Sequence, residues 1–212
     1  MSHVSHTNAN PQRFIVLDGL DGTGKSTQQR LLADWLRGQG HDVVTCRDPG
    51  TTPLGEKIRS VLLARDGAAI DRRAEMLLYM AARAQLVDEV IQPALDAGKT
   101  VVSDRYLLAN VVYQGYAGEL DLESIWRIGQ VATGGLMPAL VVVLDMPVEA
   151  AANRIRRQRD RMEEQGDDFS RRVREGFLAE AANDPQGIVV IDASRSIEVV
   201  HANIRAAVET IL

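Results

Sequence analysis

Residues Gly19-Leu20-Asp21-Gly22-Thr23-Gly24-Lys25-Ser26 satisfy the pattern G-x-x-x-x-G-K-[ST], and few short stretches restrict a fold as strongly. The pattern has meaning only between a strand and a helix. Both flanks are present: Phe14–Leu17 is an apolar, β-rich run, and Leu31, Leu32, Trp35 and Leu36 recur at helical spacing after it. In that setting the glycines let the backbone curl into a ring of N–H donors at the positive end of a helix, which cradles phosphates. The expected binding segment is Gly19 through Thr27. Lys25 places a point charge at the β- and γ-phosphates of a nucleoside triphosphate such as ATP, and the Ser26 hydroxyl can ligate Mg²⁺. A glycine-rich turn matching by chance is the competing reading, and the strand and helix around it argue against that.

Further along, Val43–Cys46, Thr100–Ser103, Leu140–Leu144 and Ile188–Ile191 are apolar and β-branched, as strands buried on both faces are. Helical patterns separate them. The first ends near Gly38 and Gly40; a second runs from a candidate N-cap at Asp71 to Gly98, with a kink expected at Pro93. This alternation predicts an α/β fold of the P-loop NTPase type. It is a doubly wound five-stranded parallel sheet with helices on both faces. No repeat or linker divides the chain, so one domain is expected over residues 13–212, after a polar, disordered tail at 1–12. The stretch at about 154–167 is dense in arginine and also carries many acids.

Bulk properties exclude several alternatives. With 212 residues, 45% hydrophobic, the chain can bury a sizeable core without disulfides. A net charge of −5 argues against a general nucleic-acid binder or a DNA-dependent ATPase, which needs a broad basic surface. The lone cysteine, Cys46, and the absence of any bilayer-length apolar run point to a cytoplasmic protein without a membrane partner. A GTPase would carry N-K-x-D after a later strand, and none occurs.

Four further segments narrow the reading. Phe14-Ile15-Val16-Leu17-Asp18-Gly19-Leu20-Asp21 leads into the cradle, and Arg47-Asp48-Pro49-Gly50-Thr51-Thr52-Pro53-Leu54-Gly55-Glu56-Lys57-Ile58-Arg59 follows it. Ser103-Asp104-Arg105-Tyr106 and Tyr113-Gln114-Gly115-Tyr116 come later. Each is weak alone, but in this order and spacing they resemble bacterial thymidylate kinases over nearly the whole chain from Arg13. The resemblance implies transfer of a phosphoryl group from ATP to dTMP, with Mg²⁺, in an enzyme that is usually a homodimer.

The resemblance also implies roles for particular residues. Asp21 would hydrogen-bond the 3′-hydroxyl of the monophosphate, and Arg105 would clamp the acceptor phosphate. Arg47, Pro49 and Arg59 would lie near the monophosphate. Tyr79 would stack on thymine, and Arg83, Asn110 and Gln114 would read its edge. Tyr113 would press on C2′ of the sugar. Pattern alone is less specific. Tyr79 and Arg83, four apart on a helix, could be a core aromatic and a solvated charge, and Asn110–Gln114 could be a surface turn before Gly115. Asp104 ends a strand beside the cradle, where a carboxylate would orient Mg²⁺ together with Ser26.

Catalysis would rest on Lys25, Arg105, Asp21 and a minority of the arginines at about 154–167, with Arg156, Arg157 and Arg161 the candidates. The cradle has no arginine of its own, and Asp160-Arg161-Met162-Glu163 resembles the mobile lid of the family branch that supplies one from there, which implies such a lid over this stretch. Against that stands a solvated, salt-bridged helix, since acids crowd the same stretch. The chain departs from the family pattern at Asp18 and Asp48, where glutamate is usual, and at Thr52, where glycine is frequent. A kinase for another deoxynucleotide, or an idle nucleotide sensor, would share the cradle. The sensor reading is disfavoured by the presence of Asp21, Arg59 and Arg105.

Overall fold

The computed structural model describes residues 13–65, 69–155, 161–162 and 165–212. Five strands, β1 (Phe14–Gly19), β2 (Val43–Arg47), β3 (Thr100–Asp104), β4 (Leu140–Asp145) and β5 (Ile188–Asp192), form one sheet in the order β2-β3-β1-β4-β5. Every pairing is parallel. Each strand runs past its last apolar residue, to Gly19, Arg47, Asp104, Asp145 and Asp192. The ladder continues through these positions, so the sheet delivers charged side chains to its C-terminal edge, where ligands bind in open α/β sheets.

The expectation of strands buried on both faces holds for β1, β3 and β4 but not for the edges. In β2 and β5 buried and more open residues alternate, with Thr45 and Val190 exposed, because an edge strand is not wrapped on both sides. In β1 the alternation sorts the core into two halves. Phe14 and Val16 face α3 (Arg72–Leu86) and the helices beside it; Ile15 and Leu17 face α1 (Lys25–Gly38) and α9 (Ile197–Glu209). Leu32, Ala33 and Leu36 of α1 meet Val200, Ile204 and Val208 of α9 there. Leu31 and Trp35 are only partly covered.

Two helix details position the site. The α3 helix starts where Asp71 caps it, its carboxylate accepting from the Arg73 N–H at 3.0 Å. The expected kink takes the form of a π-helical turn, Val87–Ile91, before α4 (Gln92–Asp96). Pro93 has no N–H and its ring would strike the carbonyl four residues back, so the wider turn absorbs the conflict. The second detail lies after β3. The short α5 (Leu107–Asn110) runs into another π-helical turn, Val111–Tyr116, packed on α6 (Leu122–Thr133) and α8 (Asp167–Asn183). This segment is buried helix rather than a surface turn.

Candidate active site

The cradle forms where β1 runs out beside β4. Gly19 has φ +124°, and a Cβ there would lie 2.4 Å from the Leu144 carbonyl oxygen, so no side chain fits. Gly24, at φ +97°, turns the chain into α1. The buried Lys25 ammonium donates to the carbonyls of Gly19 (3.1 Å) and Leu20 (2.7 Å), and Asp21 Oδ1 lies 3.5 Å away. Burial, and then the Arg105 charge, push its pKa down; Asp21, Asp104 and Asp18 pull the other way. The Ser26 hydroxyl donates to Asp104 Oδ2 at 2.8 Å. These are hard oxygen donors at the edge of a phosphate pocket, as Mg²⁺ requires. Among the described residues no cluster of three or more His, Cys, Asp or Glu could hold a metal by itself. An ion here would therefore complete its shell with phosphate oxygens and water, which is how Mg²⁺ is usually held.

Arg105 stands at the centre. It follows β3 with φ +70°, a strained left-handed conformation for a long side chain, fixed by its N–H donating to the Leu17 carbonyl at 2.9 Å. Its guanidinium donates to Asp18 Oδ1 (3.2 Å), Asp21 Oδ1 (3.0 Å) and the Tyr113 hydroxyl (3.0 Å), and lies 4.8 Å from the Tyr113 ring centre. The two carboxylates respond differently. Burial raises the pKa of Asp18 to about 6, and the Arg105 and Lys25 charges only partly offset this. Burial works against ionised Asp21 as well, but there Arg105 and Lys25 prevail and hold it well below the usual carboxylate range. Asp21 is thus a fixed anion beside the cradle.

A cationic mouth surrounds this point. Arg47, Arg59, Arg105 and Arg154 line one pocket with Lys25 and Ser26. Arg59 donates to the Pro49 carbonyl at 3.1 Å, Arg47 pairs with Glu56 at 2.8 Å, and Arg154 donates to the Ala193 carbonyl at 3.1 Å. A second pocket opens on the other side of Arg105. It brings together Pro49, Arg59, Tyr79, Arg83, Asn110, Tyr113 and Gln114, all predicted from sequence. Asp21, Asp48, Arg59 and Arg105 belong to both pockets, with Asp21 and Arg105 hydrogen-bonded to each other there.

Arg83 is not a solvated charge. Only 1% exposed, it donates to Asp48 Oδ2 (2.6 Å), Asn110 Oδ1 (3.0 Å) and the Tyr106 carbonyl (3.2 Å). Asn110 in turn donates to Gln114, and Gln114 to Glu75, each at 2.8 Å. Of the lid arginines, Arg156 and Arg157 lie outside the described residues. Arg161 sits behind the second pocket, where it donates to the Leu62 carbonyl at 2.8 Å and pairs with Glu75. Sequence reading passed over Glu75, although Glu75, Tyr79 and Arg83 recur every four residues on one face of α3, a visible signal. Met162, read from sequence only as part of the lid signature, walls the second pocket. A third groove, where Thr27, Gln28 and Arg154 face Arg195, Ser196 and Ile197, was missed too. The loop after β5 has no motif to announce it.

A phosphate cradle and an arginine-lined pocket that share two carboxylates and two guanidiniums define a nucleoside monophosphate kinase on a P-loop sheet. The family model described as thymidylate kinase matches residues 17–204, and the chain belongs to that family. The thymidylate kinase of Rhodopirellula baltica is 46% identical over 196 residues, covering 92% of this chain and 80% of its own length. That of Symbiobacterium thermophilum is 44% identical over 200 residues, covering 94% of each. The crystal structure of thymidylate kinase from Ehrlichia chaffeensis superposes with a TM-score of 0.78 over 93% of this chain and 98% of its own, at 27% identity.

Proposed function

We propose that this protein transfers the γ-phosphoryl group of ATP to dTMP, giving dTDP and ADP for dTTP synthesis. One observation carries the reading: the cradle and the nucleoside pocket meet end to end at Asp21 and Arg105, where donor and acceptor phosphates would have to be in line. The acceptor is already anionic, so no strong base is needed, and the difficulty is charge. Lys25 serves the donor phosphates. Arg105, a planar fork, holds two oxygens of the acceptor phosphate, with Arg59 and Arg47 beside it. Asp21, kept ionised, accepts from the 3′-hydroxyl. Mg²⁺, when bound through Ser26 and Asp104, would neutralise charge on the β- and γ-phosphate oxygens. The lid arginines 156 and 157 are proposed to add cationic charge at the transferred group.

In the second pocket thymine lies against Tyr79 and Pro49, with its edge toward Arg83, Asn110 and Gln114, and Tyr113 beneath the sugar. The groove at Arg195–Ile197 takes the adenine of ATP, being continuous with the cradle through Gly22, Thr23 and Gly24. A homodimer is supported by exposed Val61 on α2 (Pro53–Leu63), Leu77 on α3 and Val131 on α6, since α3 packs on both α2 and α6. No helix among the described residues is long and apolar enough to cross a membrane; a cytoplasmic location is part of the proposal. A coupled assay with ATP, Mg²⁺ and a panel of monophosphates tests the reading. Turnover is expected with dTMP, slower with dUMP, and lost in Lys25→Ala. Preference for a guanine or cytosine nucleotide, or a Lys25→Ala enzyme of near-normal rate, would overturn it.

A further inference from the structure

The buried hydrogen-bond chain behind the base pocket has a donor-only end and an acceptor-only end. Arg83 can only donate and both Glu75 carboxylate oxygens accept, so the two amides between them have one permitted orientation. Asn110 must turn Oδ1 to Arg83 and Nδ2 to Gln114, and Gln114 must turn Nε2 to Glu75; these are the bonds present. All four residues are buried, so each depends mainly on its partners in the chain. Glu75 has a second duty. Its Oε1 receives Gln114, and its Oε2 receives Arg161, whose neighbour Met162 closes the base pocket. Arg161 is further tied to the Leu62 carbonyl, at the end of α2.

We propose that Glu75 is a positioning residue for dTMP, its two carboxylate oxygens coupling the orientation of the base-reading amides to the seating of the Arg161–Met162 segment over the base. This rests on the thymidylate kinase reading above, and it assigns Arg161 to acceptor binding rather than to phosphoryl transfer. A glutamine at position 75 offers one oxygen to two donors, so either Gln114 or Arg161 loses its partner. An aspartate keeps both oxygens.

The test is steady-state kinetics on the full-length enzyme with ATP, Mg²⁺ and dTMP, for wild type, Glu75→Gln, Glu75→Asp, Arg161→Gln and the Glu75→Gln/Arg161→Gln pair. Glu75→Gln is expected to raise KM for dTMP about tenfold, as the loss of one charge-assisted hydrogen bond commands, with KM for ATP unchanged. Glu75→Asp should restore most of the affinity, and the double variant should be no worse than the worse single one. Additive losses, or equal rises in both KM values, would overturn the proposal. So would a fall in kcat at Arg161→Gln with KM for dTMP unchanged. If Glu75→Gln does not fold, Arg161→Gln alone decides: an unaltered KM for dTMP refutes the coupling and a raised one supports it. Wild-type inactivity on dTMP would instead refute the functional reading itself.

Discussion

The Ser26 hydroxyl donates to Asp104 Oδ2 across 2.8 Å, joining the first turn of α1 to the last residue of β3. The contact ties the phosphate cradle to the strand that leads into Arg105, so the residues expected to organise Mg²⁺ adjoin the one expected to hold the acceptor. Asp104→Asn keeps the shape of this link and removes its charge. Its kcat is expected to fall about a hundredfold, a typical loss for one preorganised electrostatic group. Part of the rate should return as Mg²⁺ is raised, and a Mg²⁺ titration of the rate checks this.

Asp18 gives the enzyme a pH-dependent stability. Its ordinary pKa of 3.8 rises to about 6 in the fold, chiefly through burial, and among the described residues its Oδ2 has no hydrogen-bond partner. Between those values the native state holds a proton that the unfolded chain has lost, so stability falls as pH rises through this window. At pH 7 the ionised group costs up to about 3 kcal/mol. Asp18→Asn is therefore expected to be more stable than wild type at pH 7, the difference vanishing below pH 4, in denaturant unfolding series. Asparagine cannot supply the charge that seats Arg105, so KM for dTMP should rise in the same variant.

At the Arg83–Asp48 pair burial again pushes the carboxyl pKa up, and the Arg83 charge opposes it. Both members are buried, with Nε and Oδ2 2.6 Å apart. Arg83→Met strands the Asp48 carboxylate and should cost about 3–5 kcal/mol in chemical denaturation. Replacing both, as Arg83→Met/Asp48→Leu, should recover much of that stability while leaving dTMP turnover abolished, because the base edge loses its reader.

Tyr113 separates two contributions to sugar selection. Its ring lies under Arg105 and its hydroxyl accepts from the same guanidinium. Tyr113→Phe keeps the ring and should preserve the preference for dTMP over its ribo counterpart, with a several-fold loss in kcat/KM from the missing hydrogen bond. Tyr113→Ala removes the steric wall and should relax that preference. Equal preference ratios in the two variants would count against a steric role.

Much of the fold and the cradle could be read directly from the chain. The Gly19–Ser26 pattern, the five β-branched runs and the Asp71 cap depend on local backbone geometry and periodicity, which neighbouring residues settle between themselves. The resemblance added the inventory of pocket residues. What sequence could not supply was which side chains would be desolvated together. Arg83 reads as a surface charge on a helix until Asp48, 35 residues away in sequence, is packed against it. Glu75 shares a helix face with Tyr79 and Arg83, but its role arises only because Gln114 and Arg161 converge on its two oxygens. The sequence placed Asp104 at the end of a strand beside the cradle, and the fold adds the direct hydrogen bond from Ser26. Local order follows from residues close in sequence. Charge states and hydrogen-bond partners are set by burial, and burial is decided by the tertiary fold.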